Sequence, residues 1–192
     1  MNVTLAAGSQ DRWNNGNDSR FSIKQLIEIE GETLIERIQR QFGGYVVTHR
    51  PEIIEVSDLV FKPEKNRWTV ETLYSTRSLW EGQTIVTLGD VYYTDEAVNT
   101  IKSFNGPIQF FGTIHEIFAI SFTDYPRVTQ CLTEHITKLQ NMVTYPSHGK
   151  LWQLYRRYNN YSYRENKIGE FFTFIEDRTQ DFDSVDELKL FR

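Results

Sequence analysis

Apolar stretches of strand length alternate along this chain with stretches in which apolar residues recur at helical spacing. Residues 3–6 predict a first strand, residues 33–42 predict a helix that ends at a pair of glycines, and residues 45–48 predict a buried parallel strand. Strand, helix and strand in this order form the repeating unit of a parallel sheet that is covered by helices.

The same alternation continues toward the C-terminus. Residues 84–88 are a continuous run rich in β-branched residues, which is typical of a central strand buried on both faces. We predict further strands at 68–73, 107–112, 117–122 and 171–175, and helices after Pro51, at 75–80, at 124–142 with Asp124 as the cap, and at the C-terminus. The pattern therefore predicts a doubly wound α/β sheet.

Length and composition narrow the classes of protein. A chain of 192 residues and 22.7 kDa fits one domain, residues 1–192. Its 21 basic and 26 acidic side chains give a net charge of −5, so no global positive field attracts polyanions and we expect no nucleic-acid partner. The single cysteine, Cys131, excludes an intramolecular disulfide, and no apolar run has membrane-spanning length. We expect a cytoplasmic protein without a membrane partner.

A loop of small residues follows the first predicted strand. The chain reads Leu5-Ala6-Ala7-Gly8-Ser9-Gln10-Asp11-Arg12 and, after a turn-rich stretch, reaches Lys24 at the start of a predicted helix. Backbone amides of such a loop can bind phosphate oxygens, and the cations Arg12 and Lys24 offset the charge that repels an incoming phosphate nucleophile. We therefore predict a nucleoside triphosphate site, with Leu5, Ala6, Ala7, Gly8, Ser9 and Gln10 as nucleotide-binding residues. Taken alone, small residues at such a turn also serve packing.

This segment resembles the N-terminal signature of nucleotidyltransferases with a GT-A-like fold, which include sugar-1-phosphate nucleotidyltransferases, cytidylyltransferases and molybdenum-cofactor guanylyltransferases. That signature usually has glycine where Gln10 stands and proline where Ile23 stands. The resemblance implies a three-layer α/β sandwich with a mostly parallel, Rossmann-like mixed sheet. It also implies transfer of a nucleoside monophosphate from the triphosphate to a small phosphorylated acceptor, such as a sugar phosphate, with release of pyrophosphate and with Arg12 and Lys24 as catalytic residues.

Two aspartates resemble metal-binding positions of the same group. Asp90 ends the strand predicted at 84–88, and Asp183 matches an aspartate in the group's late acidic element. The resemblance implies that both hold Mg²⁺, the cofactor that bridges phosphate oxygens in nucleotidyl transfer. Asp181 is a second candidate for the late ligand, and the residues after Asp183 also fit a simple helix start.

A hydroxyl-rich segment has two interpretations. Ser75, Thr76 and Ser78 resemble the segment that lines the base pocket in this group, and Gly89 is a further predicted nucleotide-binding residue. Hydroxyls at a helix start can also serve only as caps.

The predicted acceptor-binding residues are Glu116, Tyr155 and Arg156. Glu116 resembles an acidic residue near the acceptor in this group, although His115 precedes it where glycine is usual. Tyr155 and Arg156 begin a run of tyrosines and arginines that can stack on and clamp a phosphorylated acceptor. An amphipathic helix with packed tyrosines and solvated arginines explains the same run.

Two rival functions remain open from the sequence. One is a GT-A-like glycosyltransferase that uses a nucleotide sugar, although no Asp-x-Asp follows the strand at 84–88. The other is a catalytically silent nucleotide-binding module, an alternative that the departures at Gln10 and Ile23 leave open. Release of pyrophosphate separates the three functions.

Overall fold

The computed structural model describes residues 1–8, 23–141, 149–162, 164–182 and 185–191, without the side chains of Val185 and Leu190. The strands are β1 (Asn2–Leu5), β2 (Glu28–Ile29), β3 (Glu32–Thr33), β4 (Tyr45–Val47), β5 (Val60–Phe61), β6 (Thr84–Leu88), β7 (Val91–Tyr92), β8 (Ile108–Gly112), β9 (Ile117–Phe122), β10 (Phe172–Phe174) and β11 (Gln180–Asp181). The α-helices are α1 (Leu34–Phe42), α2 (Pro51–Glu55), α3 (Thr69–Ser75), α4 (Asp95–Ser103), α5 (Tyr125–Asn141), α6 (Leu151–Tyr158) and α7 (Val185–Phe191). Short 3₁₀ helices occupy Lys24–Leu26 and Thr76–Leu79.

Seven strands form one sheet in the order β10-β8-β9-β6-β1-β4-β5. Strand β9 runs antiparallel to both of its neighbours, and the other neighbouring pairs are parallel. The mostly parallel mixed sheet predicted from the sequence is therefore confirmed. Strand β6 lies between β1 and β9, as its β-branched run predicted for a central strand.

Apolar cores lie on both faces of this sheet. One core contains Val3 and Val86 together with side chains from α3, α5 and α6. The other contains Ile85 and Phe118 together with side chains from α1 and α4. Because neighbouring residues of a strand point to opposite faces, Ile85 and Val86 contribute to different cores. Helices therefore cover both faces, which confirms the three-layer sandwich.

The best-predicted helices have strong local start signals. Thr33 caps α1, since its hydroxyl accepts from the Glu36 amide at 3.3 Å while the Glu36 carboxylate accepts from the Thr33 amide at 2.9 Å. Gly43 ends α1 with a φ of 67°. Asp124 caps α5 as predicted, because its carboxylate accepts from the Arg127 amide at 3.2 Å.

The strand predicted at residues 68–73 is wrong, because this segment forms helix α3. Val70 and Leu73 are both fully buried, and their spacing of three places them on one helical face. The aromatic and β-branched composition of the segment favours a strand, but burial of this face against the sheet stabilises a helix instead.

None of the described helices has the length and apolar character needed to cross a membrane.

Candidate functional site

A cleft of about 280 Å³ lies beyond the carboxyl ends of β1 and β6. Open α/β sheets bind ligands at this edge. Because β9 is antiparallel, its first residue, Ile117, and the preceding Glu116 reach the same edge. The cleft is bordered by six of the residues that the sequence predicted, which are Leu5, Ala7, Gly8, Lys24, Asp90 and Glu116.

The small-residue turn forms one wall of the cleft. Ala7 and Gly8 border it, and the buried Ala6 lies behind them. Gly89 does not border the cleft but permits the close approach of two strand ends, since a Cβ there would lie 3.0 Å from the Ala6 Cβ and 3.2 Å from the Leu5 oxygen. The predicted residues Ser9, Gln10 and Arg12 lie outside the described residues.

A charged cluster of Lys24, Asp90 and Asp181 also borders the cleft. The Lys24 ammonium forms an ion pair with the Asp90 carboxylate, lies 3.8 Å from Asp181 Oδ1, and donates to the Phe182 oxygen at 3.3 Å. The three side chains are only 9%, 20% and 15% exposed. This shielding from water strengthens their mutual electrostatic interactions.

Strand pairing explains how acids so distant in sequence meet. Asp90 follows β6 and directly precedes β7, and β11 pairs antiparallel with β7 so that Asp181 lies opposite Val91. The Phe182 amide also donates to the backbone carbonyl oxygen of Asp90 at 3.4 Å. The two-stranded sheet of β7 and β11 therefore delivers the second carboxylate to the end of the central strand.

Tyr93 is buried beside this cluster. Its hydroxyl donates to the Phe118 oxygen at 2.6 Å and accepts from the Leu88 amide at 3.1 Å. Burial raises the pKa of Tyr93 well above its ordinary value, and the negative charges of Asp90 and Asp181 raise it further. The hydroxyl therefore stays neutral and ties β6 to β9 beneath the cleft edge.

Asp90 and Asp181 are the kind of donor set that Mg²⁺ shares with phosphorylated ligands. Mg²⁺ in nucleotide sites uses one or two carboxylates, and phosphates and waters complete its coordination. Among the residues that the structure describes, no three or more His, Cys, Asp or Glu side chains come together as a metal cage. Asp183, the second ligand predicted from the sequence, lies outside the described residues. Asp181, the other late candidate, borders the cleft.

A second wall of the cleft was not predicted from the sequence. It is formed by the start of α3, where Trp68, Thr69 and Thr72 border the cleft and the Arg67 guanidinium lies 4.5 Å from the centre of the Trp68 ring. Gly149 packs so closely on Trp68 that a Cβ at this position would lie 2.4 Å from the Trp68 Cβ. This wall was missed because residues 68–73 were predicted to form a strand instead of the start of a helix.

The predicted base-pocket hydroxyls do not border the cleft. Ser75 Oγ donates to the Glu71 oxygen at 3.0 Å, and Thr76 Oγ1 donates to the Leu73 oxygen at 2.7 Å. Ser78 is exposed away from the cleft. Ser75 and Thr76 therefore bond to the preceding helical turn, a local structural role of the kind that the sequence left open.

Glu116 borders the cleft, and its partners there were not predicted from the sequence. The Lys150 ammonium is 3.5 Å from Glu116 Oε1. Trp152 also borders the cleft, donates from Nε1 to the His115 oxygen at 2.8 Å, and stacks on Phe172 with 5.4 Å between ring centres. The sequence signal that could have indicated these partners is the pair Lys150 and Trp152, a cation and an aromatic ring two residues apart at the start of α6.

Tyr155 and Arg156 lie away from the cleft. Tyr155 is fully buried, its hydroxyl donates to the Glu170 oxygen at 3.2 Å and accepts from the Gly169 amide at 2.7 Å, and burial raises its pKa. Arg156 donates to Asn166 Oδ1 at 2.9 Å. The structure thus agrees with the packed-helix interpretation for Tyr155, since helix α6 turns this residue into the core.

Solved structures match the chain over nearly its whole length, whereas no protein-family model and no curated protein sequence matches it. The CTP:phosphocholine cytidylyltransferase of Streptococcus pneumoniae matches with a TM-score of 0.62 and 12% identity, covering 99% of this chain and 96% of that one. The inositol-1-phosphate CTP transferase of T. maritima matches with a TM-score of 0.64 and 10% identity, covering 99% and 92%. The chain therefore has the α/β, Rossmann-like fold of these nucleotidyltransferases, as its N-terminal signature implied.

Proposed function

We propose that this protein is a nucleotidyltransferase that moves a nucleoside monophosphate from a nucleoside triphosphate to a small phosphorylated acceptor and releases pyrophosphate. The observation that carries this proposal is the meeting of Gly8, Lys24, Asp90 and Asp181 in one cleft at the carboxyl edge of the central strands. The shared fold supports it, because two solved structures of this fold are cytidylyl or CTP transferases.

In this proposal the donor binds at the end of the cleft that holds the turn and the charged cluster. Backbone amides near Ala7 and Gly8 receive phosphate oxygens, and the Lys24 ammonium offsets their charge. Arg12 supplies a second cation from the segment that follows the turn. The wall of Trp68 offers the base an aromatic surface.

Asp90 and Asp181 are the residues that would hold Mg²⁺, with Asp183 as a further candidate. When bound, the ion neutralises charge on the triphosphate and helps the pyrophosphate to leave. In the free protein the Lys24 ammonium lies between the two carboxylates and offsets their mutual repulsion.

The reaction needs positioning more than covalent chemistry from the protein. A phosphate oxygen of the acceptor attacks the α-phosphorus of the donor, the new P–O bond forms, and the bond to the β-phosphate breaks with its electron pair leaving on pyrophosphate. Lys24 stabilises charge that develops at the leaving phosphates. Lys150, Glu116 and Trp152, which also border the cleft, supply a cation, an anion and a ring for the acceptor.

Screening with nucleotides and acceptors tests this function. Thermal-shift measurements with the common nucleoside triphosphates and Mg²⁺ identify the donor, since binding to the folded state raises apparent stability. Pyrophosphate release is then measured with sugar phosphates and phosphocholine. We expect pyrophosphate release that depends on the acceptor and is lost in Asp90→Asn.

Two other outcomes would contradict this function. Binding of a triphosphate without acceptor-dependent pyrophosphate release would indicate a silent nucleotide-binding module. A reaction in which a nucleotide sugar releases its nucleoside diphosphate would indicate a glycosyltransferase.

We further propose that the enzyme works in the cytoplasm without nucleic acid or membrane as partner. The single buried cysteine and the net charge of −5 support this placement.

A further inference from the structure

Two residues after β4 hold the carbonyl groups of the small-residue turn. Thr48 Oγ1 donates to the Ala6 oxygen at 3.2 Å, and Arg50 Nη2 donates to the Gly8 oxygen at 3.0 Å. The two residues are themselves linked, because the Arg50 amide donates to Thr48 Oγ1 at 3.1 Å. The Ala6 amide adds a bond to the Val47 oxygen at 2.9 Å.

Local sequence fixes Arg50 in this position. Pro51 begins helix α2, and a residue before proline is driven to extended backbone, which Arg50 adopts with φ −82° and ψ 121°. Thr48 is fully buried, so its hydroxyl has little freedom to leave the Ala6 oxygen. Arg50 Nε is also buried and has no hydrogen-bond partner among the described residues.

Holding a carbonyl also orients the next amide. A peptide unit is planar and trans, so the N–H of one residue points opposite to the C=O of the residue before it. The bond from Thr48 to the Ala6 oxygen therefore fixes the direction of the Ala7 N–H, and Ala7 borders the cleft. The bond from Arg50 to the Gly8 oxygen holds the last described carbonyl of the turn.

We propose that Thr48 and Arg50 are positioning residues that preorganise the turn of Ala6, Ala7 and Gly8 for the triphosphate. This inference rests on the proposed function, since it assigns the residues that act behind its phosphate-binding turn. Neither residue borders the cleft, so both act through the turn rather than by touching the ligand. Preorganised amides bind anions more tightly because less ordering remains to be done on binding.

Calorimetric titration with inorganic tripolyphosphate and Mg²⁺ tests the effect on binding without knowledge of the base. We expect Arg50→Met to weaken binding about tenfold, and Arg50→Lys to restore part of the loss because it keeps one charged donor. Thr48→Val should also weaken binding. The double variant should lose less than the product of the two single losses, since both residues hold the same turn.

Arg127→Met is the matched control. Arg127 also donates to a backbone oxygen, that of Tyr158 at 2.6 Å, but it does not border the cleft and lies at the start of α5. We expect Arg127→Met to leave the tripolyphosphate affinity unchanged. Equal loss of affinity in Arg127→Met and Arg50→Met would contradict the proposal.

Amide hydrogen exchange in the ligand-free protein tests the same inference independently of any nucleotide. We expect Thr48→Val and Arg50→Met to speed exchange at the Ala6 amide, which donates to the Val47 oxygen at 2.9 Å, while Arg127→Met does not. Unchanged exchange at this amide in both Thr48→Val and Arg50→Met would overturn the positioning role. A wild-type protein that binds no tripolyphosphate would count against the proposed function, and the exchange result would still decide whether Thr48 and Arg50 hold the turn.

Discussion

Lys24 is the side chain on which the donor end of the cleft depends most. We predict that Lys24→Met lowers turnover about a hundredfold, because it removes a cation that stabilises charge developing on the leaving phosphates. Steady-state pyrophosphate release measures the effect. Lys102→Met is the control, since Lys102 also donates to a backbone oxygen, that of Gln41 at 2.9 Å, but belongs to α4 and lies away from the cleft.

The Lys24 role would be wrong if Lys24→Met kept the wild-type rate. Removing the ammonium leaves Asp90 and Asp181 facing each other, so the variant must first be shown to remain folded. Circular dichroism with and without Mg²⁺ makes this check, because a bound cation replaces the missing counter-charge.

Residues at the ends of predicted strands were the ones that the sequence located best. Gly8 and Asp90 follow strands of strong pattern, and parallel strands end at one edge, so their meeting could be predicted. Asp181 could not be placed this way, because its position depends on pairing between two short strands distant in sequence. Lys150 and Trp152 reach the cleft through packing of α6, which no local pattern reports.

At the scale of elements, helix α6 places the Tyr155 side chain in the apolar core and not at the cleft. We predict that Tyr155→Phe lowers the free energy of unfolding by about 1–3 kcal/mol, because the Gly169 amide loses its buried acceptor. Urea unfolding measures this change. The affinity for tripolyphosphate should not change, and a large loss of acceptor affinity in this variant would restore Tyr155 as an acceptor-binding residue.

The start of β4 depends on the absence of a side chain at Gly44. Its φ is 80°, and a Cβ would lie 2.1 Å from the Asn2 oxygen of β1. We predict that Gly44→Ala destabilises the protein by more than about 2 kcal/mol, through both backbone strain and this clash.

Gly82→Ala separates those two causes. Gly82 has a φ of 56°, and a Cβ added there would meet no atom within 4 Å, so only backbone strain of about 1 kcal/mol is expected. If urea unfolding showed the same loss in free energy of unfolding for Gly44→Ala and Gly82→Ala, the clash between β4 and β1 would contribute nothing to the destabilisation of Gly44→Ala.

Element predictions succeeded where local signals and burial agreed. The capping box of α1 and the β-branched run of β6 each pointed to the observed element. Helix α3 was missed because the β-branched residues Val70 and Thr72 favour a strand. The helix is stabilised by burial of Val70 and Leu73 against the sheet, a tertiary contact that the local sequence does not report. Strands β7 and β11 are two residues long, which is too short for a periodic signal.

At the scale of the whole molecule, Asp177 links the C-terminal region to α4. Its carboxylate accepts from the Thr94 hydroxyl and from the Thr179 amide, the latter at 2.7 Å. Burial raises the pKa of Asp177, but these hydrogen bonds lower it by more, so the folded pKa lies below the ordinary value. The carboxylate therefore stabilises the fold fully above the unfolded pKa of about 3.9, and this stabilisation is lost as the pH falls through the lower folded pKa.

Asp177→Asn should accordingly be less stable than the wild type at pH 7, with a difference that shrinks as the pH falls below about 4. Urea unfolding of both proteins at pH 7, 5 and 3 gives this comparison. A difference that stays constant over the whole range would show that the charge of Asp177 is irrelevant to the link with Thr94.

We propose that the fold brings Asp90 and Asp181 together to hold one divalent cation beside the triphosphate. The most direct measurement is anomalous diffraction from crystals soaked with Mn²⁺ and a non-hydrolysable nucleoside triphosphate. We predict one manganese peak bonded to both carboxylates, with the Lys24 ammonium moved from between them toward the phosphates. A manganese ion on the phosphates that touches neither carboxylate, with Lys24 still paired to Asp90, would contradict this account.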